Sequence, residues 1–240
     1  IAGGETSGSI HQFIRYITIS TTGATTSFGN LGAARTYMGG CASATRGIFG
    51  GGKQPGGTKL SDIEYVTIAS TGTAQDFGNF RVARGVPAGL SSPTRGVFGG
   101  GYSPTTWTDM EYITIATTGV VQDFGELTQG GLFASNAASN PIRGLFFGGS
   151  PSNNKNIDMI NIASTGNAVR FGDMTISIGY RNCANSPTRA IAGGGQSGTP
   201  STTTIDMVEI ATEGDAVDFG DLRADQHLSG VSFSNAHGGL

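Results

Sequence analysis

The sequence predicts an all-β fold, a five-bladed β-propeller with four antiparallel strands per blade, and three observations carry that prediction. A Phe-Gly marker recurs at Phe28, Phe77, Phe124, Phe171 and Phe219, at spacings of 49, 47, 47 and 48 residues. A period of about 40–50 residues is the signature of propellers and solenoids. Glycines recur with it: one stands five residues before each marker (Gly23, Gly72, Gly119, Gly166, Gly214). Doublets stand at Gly3-Gly4, Gly50-Gly51, Gly99-Gly100, Gly148-Gly149 and Gly193-Gly194. Between these marks lie short runs of β-branched and aromatic residues with period two, the pattern of strands. Five copies fill residues 1–240, which read as a single domain.

Each element of the unit follows from its residues. Strand a is a stretch of small residues such as Pro87-Ala88-Gly89-Leu90-Ser91-Ser92, which suits the crowded inner edge of a ring. A turn of the kind Ser92-Pro93-Thr94-Arg95-Gly96 leads into strand b, which ends at the glycine doublet. Strand c covers residues 14–19, 63–68, 110–115, 157–162 and 205–210, and both of its faces are apolar or nearly so, as in a sheet lying between two others. A Ser/Thr-Thr-Gly turn reverses the chain, and the Phe-Gly segment returns as strand d. A four-stranded sheet of this size buries its faces only against neighbours. A solenoid would need polar end caps, and the sequence has none. Residues 1–4 match strand b and residues 228–238 match strand a, so the C-terminal strand is expected to join the N-terminal blade and close the ring. His237 falls where Arg46, Arg95, Arg143 and Arg189 stand in the other copies.

Composition removes several functions. The net charge is −3, only 13% of residues are charged and no run of like charge occurs, which argues against nucleic-acid binding. No apolar run reaches the length of about 18–20 residues that crosses a bilayer, so membrane insertion is not expected. The chain opens on Ile1 without the pattern of a signal peptide, which suggests a mature product or a piece of something longer.

The strand ending in a glycine doublet, the Tyr of strand c (Tyr16, Tyr65, Tyr112) and the aromatic of the outer strand together resemble the kelch repeats of β-propellers. Phe stands where kelch repeats usually have Trp, and Met159 and Met207 replace the Tyr in two copies. The wording of the repeat, as in residues 92–101 and 162–168, is similar to repeats in tail and tail-fibre proteins of marine bacteriophages, including cyanophages. That resemblance implies a virion or extracellular location and an adhesive or structural role. It assigns no ligand and no functional residue.

Motifs of catalysis dissolve on inspection. Asp76-Phe77-Gly78 spells a kinase metal-binding tripeptide, but Ser27 and Arg170 replace the Asp in other copies, which makes it a strand signal. The glycine triplets at Gly50 to Gly52 and Gly99 to Gly101 lack the Gly-Lys-Ser/Thr of a phosphate loop and read as close sheet packing. Glycoside hydrolysis needs two carboxylates at a defined separation, and strand a carries no Asp or Glu in any copy. The acids of strand c (Glu64, Glu111, Asp158, Asp206) are expected to be solvated or paired with a recurrent Arg. Cys41, Cys183, His11, His227 and His237 show no metal-ligand spacing, and the two cysteines are expected to be free thiols. No enzyme activity, cofactor or metal is expected.

The copies differ most in the connection from strand b to strand c, at residues 5–12, 53–61, 102–109, 150–156 and 196–204. A scaffold demands the same residues in every blade, but recognition does not. The candidate binding residues are therefore Trp107, Tyr102, Lys53, Lys59, Lys155 and His11, an aromatic and basic set suited to sugar stacking or protein contact. The alternative for Trp107 is an ordinary loop residue folded over a sheet edge. Three functions stay open: an adhesion module for a host-surface glycan or a virion partner, a scaffold that spaces parts of an assembly, and a propeller hydrolase. Glycan binding, a buried apolar partner face or sugar turnover would separate them.

Overall fold

The computed structural model describes residues 1–129, 136–149, 154–196 and 201–223. Among them there is no helix, and the strands form six antiparallel sheets, four of them four-stranded. The first unit holds a small hairpin, β1 (Glu5–Thr6) with β2 (Ser9–Ile10), then β3 (Phe13–Tyr16) paired with β4 (Thr26–Asn30). Ala2 bridges Ile14 on the other side of β3, where strand b is expected. The second unit is β5 (Gly39–Ala42), β6 (Arg46–Gly50), β7 (Asp62–Thr67) and β8 (Gln75–Asn79). The third is β9 (Ala88–Ser91), β10 (Arg95–Gly99), β11 (Asp109–Thr114) and β12 (Gln122–Glu126). The fourth is β13 (Asn136–Ser139), β14 (Arg143–Gly149), β15 (Asn154–Asn161) and β16 (Val169–Asp173). The fifth is β17 (Asn182–Asn185), β18 (Arg189–Gly193), β19 (Thr204–Glu209) and β20 (Val217–Asp221). Each four-stranded sheet runs in sequence order, the meander expected from a, b, c and d. The first unit's third strand stops at Tyr16 rather than Ile19, and the expected closing strand at 228–238 lies outside the described residues.

The four core clusters are the four joints between consecutive units. One joins Ile14, Leu31 and Phe28 to Val66, Phe49 and Ala74. The next joins Ile48, Ile63 and Phe77 to Ile113, Ile115 and Val121. The third and fourth repeat the pattern with Phe124 against Ile160 and Ile162, and Phe171 against Val208 and Ile210. A buried side chain of this size contributes about 1.5–3 kcal/mol, so stability resides between sheets. The first strands also line up: Ser91 Oγ donates to the Ala42 carbonyl at 2.7 Å, Ser139 Oγ to the Ser91 carbonyl at 2.8 Å, and Asn185 Nδ2 to the Ser139 carbonyl at 2.6 Å.

The two glycine markers are the two halves of one contact. The N–H of Gly72 donates to Phe28, Gly119 to Phe77, Gly166 to Phe124 and Gly214 to Phe171, at 2.7–3.1 Å. Each turn of one unit is thereby tied to the outer strand of the unit before. A Cβ on Gly125, whose φ is +139°, would run into the Gly166 carbonyl, so no larger residue fits there without moving one sheet off the other. Gly220, the outermost copy of the outer-strand half, faces open space where Gly29, Gly78, Gly125 and Gly172 each meet the backbone of the next unit's turn. Phe219 is 57% exposed where Phe77, Phe124 and Phe171 are 2–4% exposed, and Ile19 is 64% exposed where Ile115, Ile162 and Ile210 are at most 1%.

Candidate functional site

One end of the sheets carries the strand b to strand c connections, and the approach to each inner strand arrives there too. Main-chain bridges Thr36 to Lys53, Gly85 to Tyr102 and Gly179 to Gln196 lock the two together. Beneath them lies a repeated polar layer. A β-bulge falls at the same step of every c–d pair, at Ile63/Glu64, Met110/Glu111, Ile157/Asp158 and Ile205/Asp206. Bulges re-aim a side chain, and each acid here meets the connection arriving from the preceding unit. Glu64 accepts from Arg35 at 2.8 Å and from the Gly32 amide. Glu111 accepts from Arg81 at 2.7 Å and lies 3.2 Å from Arg84. Asp206 accepts from Arg181 and Thr175. Asp158 is met by no arginine among the described residues; the Thr128 amide and hydroxyl donate to it at 2.8 and 2.5 Å. Burial raises its pKa, with those Thr128 bonds opposing.

The acids of strand c are thus hydrogen-bonded rather than solvated; Arg35, Arg84 and Arg181 are buried completely, whereas Arg81 is partly exposed. Arg35 also donates to the Gly51 carbonyl, Arg84 to Gly100 and Arg181 to Thr204. Burying a charge is tolerated only when it is paired and hydrogen-bonded; each of the three has both an ion pair and a hydrogen bond, although Arg35 Nε, Arg84 Nη2 and Arg181 Nε are left without a hydrogen-bond partner. The other recurrent arginines stitch units together: Arg46 donates to Ile115, Arg95 to Ile162 and Arg143 to Ile210, each in the next unit. Arg46 and Arg95 also stack on Tyr65 and Tyr112.

The six candidate binding residues separate. Lys59, in the loop of the second unit, places its ammonium 5.2 Å from the ring centre of Tyr102 in the loop of the third, and Tyr102 is exposed. Lys53 pairs its backbone with Lys59 and Thr36, half-buried. Trp107 is half-buried, donates its indole N–H to the Ser103 carbonyl and lies over the Arg84 guanidinium at 5.9 Å. His11 stacks on Phe13 at 5.3 Å in the first unit, and the exposed Lys155 donates to the Thr175 carbonyl in the fourth. Lys53, Lys59 and Tyr102 are brought together; His11 and Lys155 lie in other units. Cys41 and Cys183 are free, and burial pushes both thiols up to about 12. His227 and His237 lie outside the described residues, among which no group of three His, Cys, Asp or Glu could hold a metal.

Sequence reasoning passed over residues that the repeat spacing marks. Arg35 and Arg84 stand seven residues after the marker Phe, but Arg181 stands ten after, which hides the series. Nine residues after the Phe come Tyr37, Val86 and Tyr180, and all three have a left-handed backbone, with φ of 59°, 60° and 58°. No protein-family model matches the chain, and no curated protein matches it at a significant level.

Proposed function

We propose that the five units close into a five-bladed propeller that acts as a noncatalytic binding module, with the strand b to strand c end as its recognition face. Closure would bring Ile17, Ile19 and Gly23 of the first unit against Phe219 and Gly220 of the fifth, with the expected strand at 228–238 as the inner strand of the first blade. The charges support this joint as well. Arg15 stands where the other units have Glu64, Glu111, Asp158 and Asp206, and the connection that would deliver its partner carries Asp225 as well as Arg223.

The observation that carries the recognition face is the Lys59–Tyr102 stack, which joins two non-repeating loops of adjacent units into one surface above an otherwise repeating layer. Hydrolysis is disfavoured because, among the described residues, the buried carboxylates of strand c already accept hydrogen bonds from arginine or threonine. The target class is a host-surface glycan or a virion partner, and the setting in a phage tail or tail fibre follows from the repeat's wording. The kelch-like assignment rests on the same repeat. A glycan array and a host-cell binding assay test the module, with Tyr102→Ala/Lys59→Ala beside the wild type. Loss of binding in a folded variant supports the face. A folded wild type that binds no glycan and no cell surface moves the reading to a scaffold that spaces neighbouring parts of an assembly.

A further inference from the structure

The chain's three lysines are Lys53, Lys59 and Lys155, and two of them share the loop between strands b and c of the second unit. Lys53 and Lys59 stand directly opposite each other across an antiparallel bridge, so their side chains leave the backbone on the same face. Like charges in that arrangement are destabilising. Both lysines are half-buried, and partly buried charges are screened less than exposed ones. The equivalent bridges, Tyr102 to Thr106 in the third unit and Gln196 to Ser201 in the fifth, pair no charges. The loop's geometry therefore does not require a lysine at either position.

No acid nearby neutralises the pair. Every ion pair among the described residues is made by an arginine. Residues 53–61 and 102–108, and the approaches at 33–38 and 82–88 that are bridged to them, contain no Asp or Glu. At the feet of the two loops Asp62 faces Arg35 and Asp109 faces Arg81, each at 3.8 Å. The deeper Glu64 and Glu111 are held by Arg35, Arg81 and Arg84. The polar layer thus spends its acids on arginines. The lysine stems are set in place by glycine: a Cβ on Gly85 would lie 3.6 Å from Lys59 Cγ, and one on Gly57 would lie 3.9 Å from Lys53 Cε. Lys59 reaches over the junction in this way to Tyr102, its ammonium 5.2 Å from the ring centre.

We propose that Lys53 and Lys59 form an anion site at the junction of the second and third units, and that the glycan read by the recognition face is one bearing a carboxylate or a sulfate. The anion's oxygens accept from both ammonium groups in charge-assisted hydrogen bonds and offset the repulsion between them, a gain that a neutral sugar does not supply. The sugar ring that carries the anion lies beside Tyr102, which offers apolar contact to a pyranose. The site rests on the recognition face proposed above and narrows its ligand.

The test titrates the full chain by calorimetry with 3′-sialyllactose, lactose 3′-sulfate and trigalacturonate, beside uncharged lactose and galactotriose. Lys53→Gln/Lys59→Gln is compared with the wild type and with Lys155→Gln, a control in another unit. A charged sugar is expected to bind about tenfold or more tightly than its uncharged counterpart, and to weaken as sodium chloride is raised from about 50 to about 300 mM. The double variant is expected to lose that preference while melting at or above the wild-type temperature, since a repulsive pair is removed, and Lys155→Gln is expected to keep it. Equal affinity for charged and uncharged sugars, or a preference that survives in the double variant, would overturn the anion site. A double variant that melts well below the wild type would make the lysines packing residues and overturn it too. Binding of uncharged glycans alone, lost in Tyr102→Ala/Lys59→Ala, would overturn this site and leave the recognition face standing, whereas a folded wild type that binds no glycan and no cell surface would overturn both.

Discussion

The joint between the third and fourth units and the outward faces of the first and fifth are built from the same residues and lie in opposite surroundings. At the joint, Phe124 and Ile162 are buried, and the Gly166 amide binds the Phe124 carbonyl. On the outward faces the equivalent Phe219 and Ile19 are exposed, and a Cβ on Gly220 would meet nothing. Exposed apolar residues of this kind are those that an interface would cover. In the proposed ring the first and last units would each carry one half.

The largest expected effect lies in the polar layer of an occupied joint. Arg181→Leu leaves Asp206 buried with only Thr175 as a side-chain donor, and about 3–5 kcal/mol should be lost in a urea melt. Asp206→Asn added to it should recover part of that loss. A variant melting as the wild type does would show that the pair is not what holds the joint.

Truncation compares the two regions directly. Ile162→Ala removes a side chain that is 1% exposed and should cost about 2–5 kcal/mol. If the ring closes, Ile19→Ala costs a similar amount; if the first unit's face stays solvated, its cost falls within about 0.5 kcal/mol.

A charge exchange sharpens the same point. Arg15→Glu should destabilise the closed ring, and Asp225→Arg in the same chain should restore it, with a coupling energy of about 0.5–3 kcal/mol from the double-mutant cycle. Additive effects would mean that the two residues do not meet.

The smallest effect is expected where an occupied joint lacks its arginine. Burial raises the Asp158 pKa above its ordinary value of 3.8. The folded chain therefore holds that proton to higher pH than the unfolded chain, and the stability associated with it falls as pH rises from the ordinary value through the raised one. Asp158→Asn removes this dependence. It should lie within about 1 kcal/mol of the wild type at neutral pH, and the wild type should gain on it as acid is added through that window. The opposite trend would mean that the ionised carboxylate is the favoured form.

The sheets were legible in the sequence because a propeller joint needs glycine at two backbone approaches and an aromatic between sheets, and those demands recur in every unit. The polar layer was legible only as alternatives. Strand c showed its acids, but the buried Arg181 reaches Asp206 from three residues further along than Arg35 and Arg84 stand in their units, so no fixed spacing reveals it. Another pairing hides between strands: the Tyr65 hydroxyl binds Gln75 and that of Tyr112 binds Gln122, whereas Met159 pairs with Val169 and Met207 with Val217. Tyr-to-Met exchanges are thus matched by Gln-to-Val exchanges across the sheet. In the candidate site, Lys59 and Tyr102 were legible as loop residues but not as partners, since they stand in different units. Trp107 drew attention by composition, yet its indole is engaged by Ser103 and Arg84. Tyr37, Val86 and Tyr180 gave no signal because nothing in their residue types announces a left-handed turn.

Ring closure is tested most directly by NMR-detected hydrogen exchange at the Gly23 amide. In the occupied joints the equivalent amides of Gly72, Gly119, Gly166 and Gly214 are bonded to the preceding unit. A closed five-unit ring predicts that Gly23 is protected to the same degree as those four, through a bond to the Phe219 carbonyl. Exchange of Gly23 at the rate of an unstructured amide, beside four slow counterparts, would contradict it.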